Sequence, residues 1–325
     1  MSKTGTKTET RRPQTSGGTR RKEGFLHKVY RYRVFLLMLL PAVILVFVFS
    51  YIPMAGAVIA FKKYNYQLGI FKSPWNGIDN FRFFFRSGKA LMITRNTALY
   101  NIAFIVTTTI LEVFFAVVLN EMTFQKLKKF TQSVIFLPYF ISWVIVGSIA
   151  YSLFNYETGT LNSIREALGQ SRINFYGNGA YWPGIIIFFN AWKSVGYGMV
   201  VYLAAIVGID GSLMEAAEID GANIFQRVRY ITLPELRPTV VTLTLLALGR
   251  IFRGNLDLFY QLVGQNGTLF NYTDVIDTYV FRLTLKASDA GQTVAVGLYQ
   301  SVLCFITIMI ANGIVKKVEP DYSLF

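Results

Sequence analysis

The chain has 325 residues, of which 53% are hydrophobic and 15% are charged, whereas an ordinary soluble domain carries roughly a quarter charged residues. This composition excludes a water-facing globule, because too few polar side chains are present to cover its surface. The net charge is +14, but ten of the 32 lysines and arginines fall within the first 33 residues, so we expect no nucleic acid as a partner.

The first 33 residues are rich in Ser, Thr, Gly and Arg and show no apolar periodicity. They predict a basic cytoplasmic extension that lies beside anionic membrane lipid. This lead is too long and too polar for a secretory signal peptide, and no small-residue cleavage pattern follows the next apolar segment. We therefore expect that segment to be retained as the first membrane span.

Six apolar stretches have the length of about 20 residues that a helix needs to cross the hydrocarbon core. They are residues 34–60, 97–119, 133–154, 182–208, 239–263 and 294–315. We predict an all-α, polytopic membrane protein with six transmembrane helices in a domain at 34–315 and a tail at 316–325. The basic lead places the N-terminus in the cytoplasm, and six spans return the C-terminus to the same side.

Two loops stand out between these spans. The loop 61–96 is long and aromatic, which predicts a partly folded outer segment with an interfacial helix. The loop 209–238 combines small residues, acids, a glycine and a proline, which predict a short cytoplasmic helix, a break at Gly221, a second helical piece and a stop at Pro234. Its small and apolar positions are Ala216, Ala217, Ile219 and Ala222, and its acids are Glu215, Glu218 and Asp220. Such a surface would let another protein approach closely and pair its basic groups with the acids.

Residues 215–234 resemble the EAA signature of type I ABC importer permeases. The family pattern of Glu-Ala-Ala, Asp-Gly-Ala, an apolar residue and Leu-Pro is matched nearly throughout, with one departure at Val228, where many members carry an aromatic residue. The resemblance implies the type I ABC importer permease fold, with a coupling helix that docks in a cleft of the ATPase. By matched position it assigns this contact to Glu215, Ala216, Ala217, Asp220, Gly221 and Ala222, with Leu233 and Pro234 leading into the fifth span.

Further segments resemble the branch of this family that imports oligosaccharides released from polysaccharides, including alginate and related uronate oligosaccharides. They are residues 64–81, 190–197, 202–206, 208–210, 274–280, 297–301 and 311–312. The resemblance implies a multi-pass protein of the bacterial cytoplasmic (inner) membrane. It also implies four partner subunits: a second, homologous permease, two ATPases and an extracytoplasmic sugar-binding protein. ATP and Mg would be bound by the ATPases, and this chain would hold no cofactor.

Polar side chains within the predicted spans suggest a substrate path, because charges in a bilayer are costly and usually face a cavity or one another. The candidate residues are Asn190, Lys193 and Tyr197 in the fourth span, Arg250, Arg253, Asn255, Asp257 and Tyr260 in the fifth, and Tyr299 in the sixth. The first three recur at i, i+3 and i+7, one face of a helix, and we expect the same face for Arg250, Arg253 and Asp257. Amides and cations would donate to glycan hydroxyls, and the tyrosine rings would stack on sugar faces.

Other roles for these charges stay open. Arg253 and Asp257 could neutralise each other as an i, i+4 pair, and Arg250 could extend toward water at the cytoplasmic end. The charges would then serve helix packing or a subunit interface. The excess of cations over acids favours a further hypothesis, an anionic glycan of uronic acids, because a guanidinium binds a carboxylate through two parallel hydrogen bonds.

The main alternative of another class is an ion-coupled secondary sugar transporter. Such a protein typically contains internal repeats and buried ion sites, whereas this chain has one unrepeated docking motif. An enzyme is not expected, because no catalytic Ser, His and Asp set and no phosphate-binding GxxxxGK[ST] loop occur. The single Cys304 and the single His27 also leave no disulfide and no cysteine or histidine metal cluster.

Overall fold

The computed structural model describes residues 30–285 and 290–323, so residues 1–29 of the predicted basic extension lie outside the described residues. Two units are distinguished by their internal contacts, one ending at Gly56 and one beginning at Ala57. The first contains the apolar helix α1, in which no side chain is buried. A helix that is apolar on every side is typical of a membrane span.

Helices account for nearly all regular structure among the described residues, where the only β pairing is an isolated bridge between Lys62 and Trp75. The α-helices are α1 Arg33–Val46, α2 Ile52–Met54, α3 Gly69–Lys72, α4 Asp79–Arg86, α5 Ala90–Glu121, α6 Gln125–Phe136, α7 Trp143–Phe154, α8 Thr160–Ala167, α9 Trp182–Val207, α10 Gly211–Ile219, α11 Ile224–Arg227, α12 Leu233–Leu248, α13 Leu256–Val263, α14 Phe270–Thr273, α15 Ile276–Leu285 and α16 Ala290–Val318. Short 3-10 helices lie at Ala55–Phe61, Leu137–Phe140, Gly179–Tyr181, Gly267–Leu269 and Pro320–Tyr322, and π-helical turns at Phe47–Tyr51 and Val228–Thr232.

Five helical runs of the described residues are long and apolar enough to cross a membrane. They are Arg33–Phe61, Ala90–Glu121, Gly179–Val207, Ile224–Leu248 and Ala290–Val318. A sixth candidate is the pair Gln125–Phe140 and Trp143–Phe154, which is bent by 96° at its break. The all-α, polytopic fold is therefore confirmed, and its six predicted spans are found if the bent pair counts as one. The predicted helix in the loop 61–96 is α4, while its interfacial position stays a prediction.

The third and fifth predicted spans need correction. The third is not one helix, because the chain leaves the helix after Phe140 and restarts at Trp143, where Ser142 caps the new N-terminus by accepting the Ile145 N–H at 3.4 Å. The run Ile224–Leu248, which contains the start of the fifth predicted span, ends at Leu248 instead of reaching residue 263. The predicted stop at Pro234 is wrong as well, because this proline lies in the first turn of α12, where its missing N–H is tolerated.

Helix α9 is the centre of the second unit. Its buried side chains Trp182, Ile186 and Phe189 pack with residues of α5, α7 and α13, and its other end packs against α5 and α12. Two glycines allow close approach: a Cβ at Gly196 would collide with the backbone of α6, and one at Gly198 with the Glu112 carboxylate of α5. The helices that carry the polar residues are thereby held against one rigid helix.

Candidate functional site

Residues 211–233, which we call the docking segment, have a local structure that the sequence specifies closely. The Asp210 carboxylate accepts the Ser212 N–H at 3.0 Å and starts α10, and this hydrogen bond lowers the pKa of Asp210. The end of α10 is a Schellman motif, in which the N–H groups of Ala222 and Gly221 donate to Ala217 O (2.9 Å) and Glu218 O (3.1 Å). This motif requires the left-handed conformation that Gly221 adopts, with φ +75°.

The second piece of the docking segment begins with a capping box. The Asn223 side chain accepts the Gln226 N–H at 3.0 Å, and the Gln226 side chain accepts the Asn223 N–H at 2.8 Å. The predicted succession of short helix, glycine break and second helical piece is therefore found. Beyond it the chain stays helical through the π turn into α12.

The docking segment exposes large apolar side chains. Ile219 is 87% exposed, Phe225 86% and Tyr230 71%. Glu215 and Ala216 of the predicted contact are exposed too. Exposed apolar side chains among polar ones are a feature that many interaction surfaces share.

Arg227 ties the docking segment to the second span. Its guanidinium pairs with Glu218 of α10 and lies 3.6 Å from the Glu121 carboxylate at the end of α5. The side chain is only 19% exposed. Glu218 therefore has a partner within the chain, which the sequence did not indicate. None of the ion pairs among the described residues includes Glu215 or Asp220.

At its other end the run Ile224–Leu248 leads into residues 249–255, which we call the cationic turn. Because the helix ends at Leu248, Arg250 and Arg253 lie in this turn and Asp257 lies in the next helix, α13. The expectation that these three residues share one helix face is wrong. The i, i+4 ion pair is also not found, since no ion pair within 4 Å in the described part of the chain includes any of them.

The cationic turn borders a cavity of about 530 Å³. It is lined by Asn101, Phe104, Ile105, Asn190, Ala247, Arg250, Arg253, Gly254, Asn255 and Leu256. The structure thus brings Asn190 of α9 together with both arginines, while their role as a substrate path stays a prediction. Asn255 also caps α13, since its Oδ1 accepts the Leu258 N–H at 3.1 Å.

A second cavity, of about 700 Å³, shares Asn255 with the first. It is lined by Tyr139, Phe140, Ile141, Ser142, Trp143, Val144, Lys193, Ser194, Asn255, Asp257 and Gln261. The break of the bent pair and the start of α13 both face it. Discontinuous helices around polar cavities are a recurring feature of transporter binding sites.

Lys193 serves the bend of the third span. Its Nζ donates to Tyr139 O at 2.7 Å and Pro138 O at 3.4 Å, and it lies 5.4 Å from the centre of the Trp143 ring. The Tyr139 carbonyl at the break thereby gains a donor. Tyr197 stacks on Tyr139 at 5.1 Å between ring centroids, so two of the predicted path residues contact the bend.

The structure does not bring the last two predicted residues to either cavity. The Tyr299 hydroxyl is hydrogen-bonded to Thr94 (3.1 Å), and its ring packs against Phe84 at 5.5 Å. The Tyr260 ring meets Phe281 edge-on at 5.0 Å. A proline in an apolar stretch, as at Pro138, predicts a kinked helix from the sequence. The full break after Phe140 and the restart at Trp143 were not predicted, although Ser142 was a usable capping signal. Within the described ranges, no cluster of three or more His, Cys, Asp or Glu side chains could hold a metal ion.

These features define a class: a polytopic helical membrane protein with two polar cavities at broken spans, which share the lining residue Asn255, and an exposed docking segment. The chain belongs to the family described as "Binding-protein-dependent transport system inner membrane component", whose sequence profile matches residues 112–320. The predicted family is thereby confirmed.

Similar proteins narrow this class to sugar transport. The chain is 33% identical over 300 residues to the polygalacturonan/rhamnogalacturonan transport system permease protein YteP of Bacillus subtilis (strain 168), covering 91% of this chain and 92% of that protein. It is 33% identical over 285 residues to protein LplB of the same organism, covering 88% and 89%.

Solved structures give the same result. A chain in the crystal structure of a bacterial ABC transporter involved in the import of the acidic polysaccharide alginate matches with a TM-score of 0.81 and 30% identity, over 90% of this chain and 99% of that one. A second alginate transporter structure, in complex with an alginate pentasaccharide-bound periplasmic protein, matches with the same TM-score and identity over 90% and 98%. The chain is therefore an ABC importer permease of the sugar and oligosaccharide type.

Proposed function

We propose that this permease carries an anionic oligosaccharide containing uronic acids across the bacterial cytoplasmic membrane. It would work with a second, homologous permease, with two ATPase subunits that bind ATP and Mg, and with an extracytoplasmic sugar-binding protein. ATP would close the ATPases, and their motion would switch the spans between inward-open and outward-open states. Both termini would lie in the cytoplasm.

The observation that carries the anionic substrate is the cationic turn. Arg250 and Arg253 border a cavity, and no carboxylate of the described residues lies within 4 Å of either guanidinium. Each can therefore bind a uronate carboxylate through two parallel hydrogen bonds. The amides of Asn190 and Asn255 in the same cavity offer donors and acceptors for neutral sugar hydroxyls.

The start of α13 adds to this preference. Asn255 caps the helix and lines both cavities, so the N-terminus of α13 lies beside them, and a helix N-terminus favours negative charge. Asp257 opposes the effect in the second cavity, where Lys193 is the nearby cation. The anionic preference is therefore assigned to the first cavity.

The similar proteins support the same substrate class. The name of the relative YteP refers to polygalacturonan and rhamnogalacturonan, and the two structural neighbours transport alginate. Polygalacturonan and alginate are both polymers of uronic acids. These three proteins, whose names refer to acidic glycans, support a cavity in which neither arginine has a carboxylate of the described residues within 4 Å.

The run Ile224–Leu248 supports coupling to the ATPases. It has 25 residues and so measures roughly 37 Å at the usual helical rise. Its N-terminal end belongs to the docking segment and its C-terminal end adjoins the cationic turn. A displacement imposed on Phe225 would therefore reach the cavity through one continuous helical run, and a displacement of Glu215 would reach that run across the break at Gly221.

The substrate is tested with the assembled complex in proteoliposomes. Uptake of a uronate oligosaccharide is compared with uptake of its carboxyl-reduced, neutral counterpart of the same length. Arg250→Gln and Arg253→Gln should each raise the KM for the uronate about tenfold, because each removes a charge-assisted hydrogen bond. The KM for the neutral sugar should stay unchanged. Arg82→Gln, an exposed arginine paired with Asp79, is the matched control. Normal uronate KM in both cavity variants would exclude the anionic substrate.

Coupling is tested separately by Glu215→Lys, with the exposed Glu235→Lys of α12 as control. The first should release the ATPases during co-purification and abolish ATP-driven uptake, and the second should do neither. A secondary transporter would keep its uptake when ATP is removed and a proton gradient persists. Such persistence would contradict the ABC mechanism.

A further inference from the structure

Two side chains from other helices bind the backbone of the cationic turn. One carboxylate oxygen of Asp277 on α15 accepts the Gly254 N–H at 2.5 Å and the Gln300 Nε2 at 2.9 Å. Gln300 on α16 also donates to Phe252 O at 2.7 Å. A backbone donor and a backbone acceptor of the turn are therefore satisfied by side chains of two other helices.

Gly254 makes this contact possible. A Cβ at this position would lie 2.9 Å from Asp277 Oδ2 and 3.1 Å from Val275 Cγ2, which is closer than side chains normally pack. Gly254 does not have a positive φ, so the glycine is required for space and not for backbone conformation. Asp277 also attracts the neighbouring Arg253 electrostatically.

We infer that Asp277 and Gln300 are positioning residues that fix the cationic turn, so that Arg250 and Arg253 face the cavity before the sugar arrives. The inference rests on the proposed function of that cavity. Ordering long arginine side chains at the moment of binding costs affinity, and a prearranged backbone reduces this cost. The pair also gives the break in the helix a defined geometry in place of a water-exposed loop.

Substitutions of Gln300 and Asp277 test two contributions separately: the hydrogen bonds that hold the turn and the negative charge beside Arg253. Gln300→Leu removes the donor to Phe252 O and the donor to Asp277. Asp277→Asn can keep both hydrogen bonds, because a single oxygen of Asp277 accepts both and the amide oxygen can take its place. It removes only the negative charge beside Arg253. Ser301→Ala is the matched control, since the Ser301 hydroxyl bonds within its own helix to Gly297 O and is exposed.

The experiment uses the assembled complex in lipid nanodiscs and proteoliposomes. Amide hydrogen exchange of residues 249–256 and the KM and Vmax of uronate uptake are measured for each variant. Gln300→Leu should raise exchange in this segment and KM about tenfold each, with Vmax within about twofold. Asp277→Asn should leave exchange near the native value and change KM less, and Ser301→Ala should match the native complex.

Two outcomes overturn the inference. Exchange of residues 249–256 that is equal in Gln300→Leu and Ser301→Ala would show that the pair does not hold the turn. Faster exchange with an unchanged KM would show that holding the turn does not serve the substrate. If KM is unchanged in Gln300→Leu but Arg253→Gln still raises it, the positioning role of Asp277 and Gln300 is wrong and the proposed function stands. If Arg253→Gln also leaves KM unchanged, the proposed path fails and the inference fails with it.

Discussion

The docking segment and the cationic turn lie at opposite ends of one helical run, Ile224–Leu248, and they use similar residues in different ways. Each contains a glycine and is held by a charged side chain. Gly221 adopts a left-handed backbone conformation, and a Cβ there would meet no neighbour. Gly254 does not have a positive φ, but a Cβ there would crowd Asp277. The docking segment exposes apolar side chains that a partner can cover, while the turn is enclosed by groups of its own chain. Under the proposed function, assembly would complete the first region, whereas folding completes the second.

Among the substitutions that test this comparison, the largest effect should come from removing the ion pairs that Arg227 forms between the docking segment and the second span. Arg227→Leu leaves Glu121 and Glu218 without their shared partner, and an unpaired, partly buried charge costs on the order of 1 to 3 kcal/mol. ATP-driven uptake in proteoliposomes should fall at least about tenfold. Arg229→Leu, an exposed neighbour outside the ion pairs of the described residues, should keep native uptake. If uptake by Arg227→Leu stays within twofold of native, the ion pairs of Arg227 are not needed for coupling.

A smaller effect is expected at the cationic turn from Gly254→Ala. The added methyl group must displace Asp277 or Val275, and overpacking typically costs about 1 to 3 kcal/mol. The KM for the uronate oligosaccharide should rise about tenfold while the ATPases stay bound. Gly254→Asn should raise the KM at least as much as Gly254→Ala, because any Cβ at this position lies too close to Asp277. Rescue by asparagine would show that backbone conformation, and not the contact with Asp277, decides this position.

The same substitution in the docking segment should act through the backbone. Gly221→Ala forces a side chain into the left-handed region, at a cost of roughly 1 to 2 kcal/mol, and should lower ATP-driven uptake severalfold with an unchanged sugar KM. Asparagine tolerates this conformation, so Gly221→Asn should recover most of the uptake. Opposite responses to asparagine at positions 221 and 254 are the sharpest test of the comparison. A failure of Gly221→Asn to recover uptake would contradict the conformational explanation.

The smallest effect on transport is expected from Lys193→Met. The Lys193 ammonium holds the Tyr139 carbonyl, so its loss should lower the free energy of unfolding by about 1 kcal/mol and change the uronate KM less than threefold. Thermal unfolding of the detergent-solubilised complex and the uptake assay measure the two quantities, with the exposed Lys126→Met as control. A KM increase as large as that of Arg253→Gln would place Lys193 among the substrate contacts.

The sequence predicts those features that depend on local pattern. The apolar windows locate the spans, and the succession of Glu215, Gly221 and Pro234 identifies the docking segment, because capping and glycine breaks are encoded within a few residues. The predicted end of the fifth span at residue 263 is wrong because a hydropathy window averages over Arg250 and Arg253, and the apolar residues of α13 follow them directly. Gly249 and Gly254, five positions apart, were the local signal for a break.

The candidate path could be predicted only in part, because its geometry depends on distant contacts. The face shared by Asn190, Lys193 and Tyr197 follows from helical periodicity, and α9 is indeed continuous. No pattern in the sequence shows that Lys193 binds the carbonyl of Tyr139, or that Asp277 and Gln300 reach the turn from two other helices. Tyr299 appeared suited to sugar stacking, yet its neighbours Phe84 and Thr94 come from regions about 200 positions earlier in the chain.

The two glycines of α9 have a consequence for genetic screens of this permease. Gly196 and Gly198 contact neither cavity, yet any larger residue there would push α6 or the Glu112 side chain away from α9. A search for variants that no longer support growth on the sugar should therefore collect substitutions at both positions. Their sugar specificity and ATPase attachment would be normal in whatever fraction reaches the membrane, so their low yield, and not a transport defect, would identify them as packing variants.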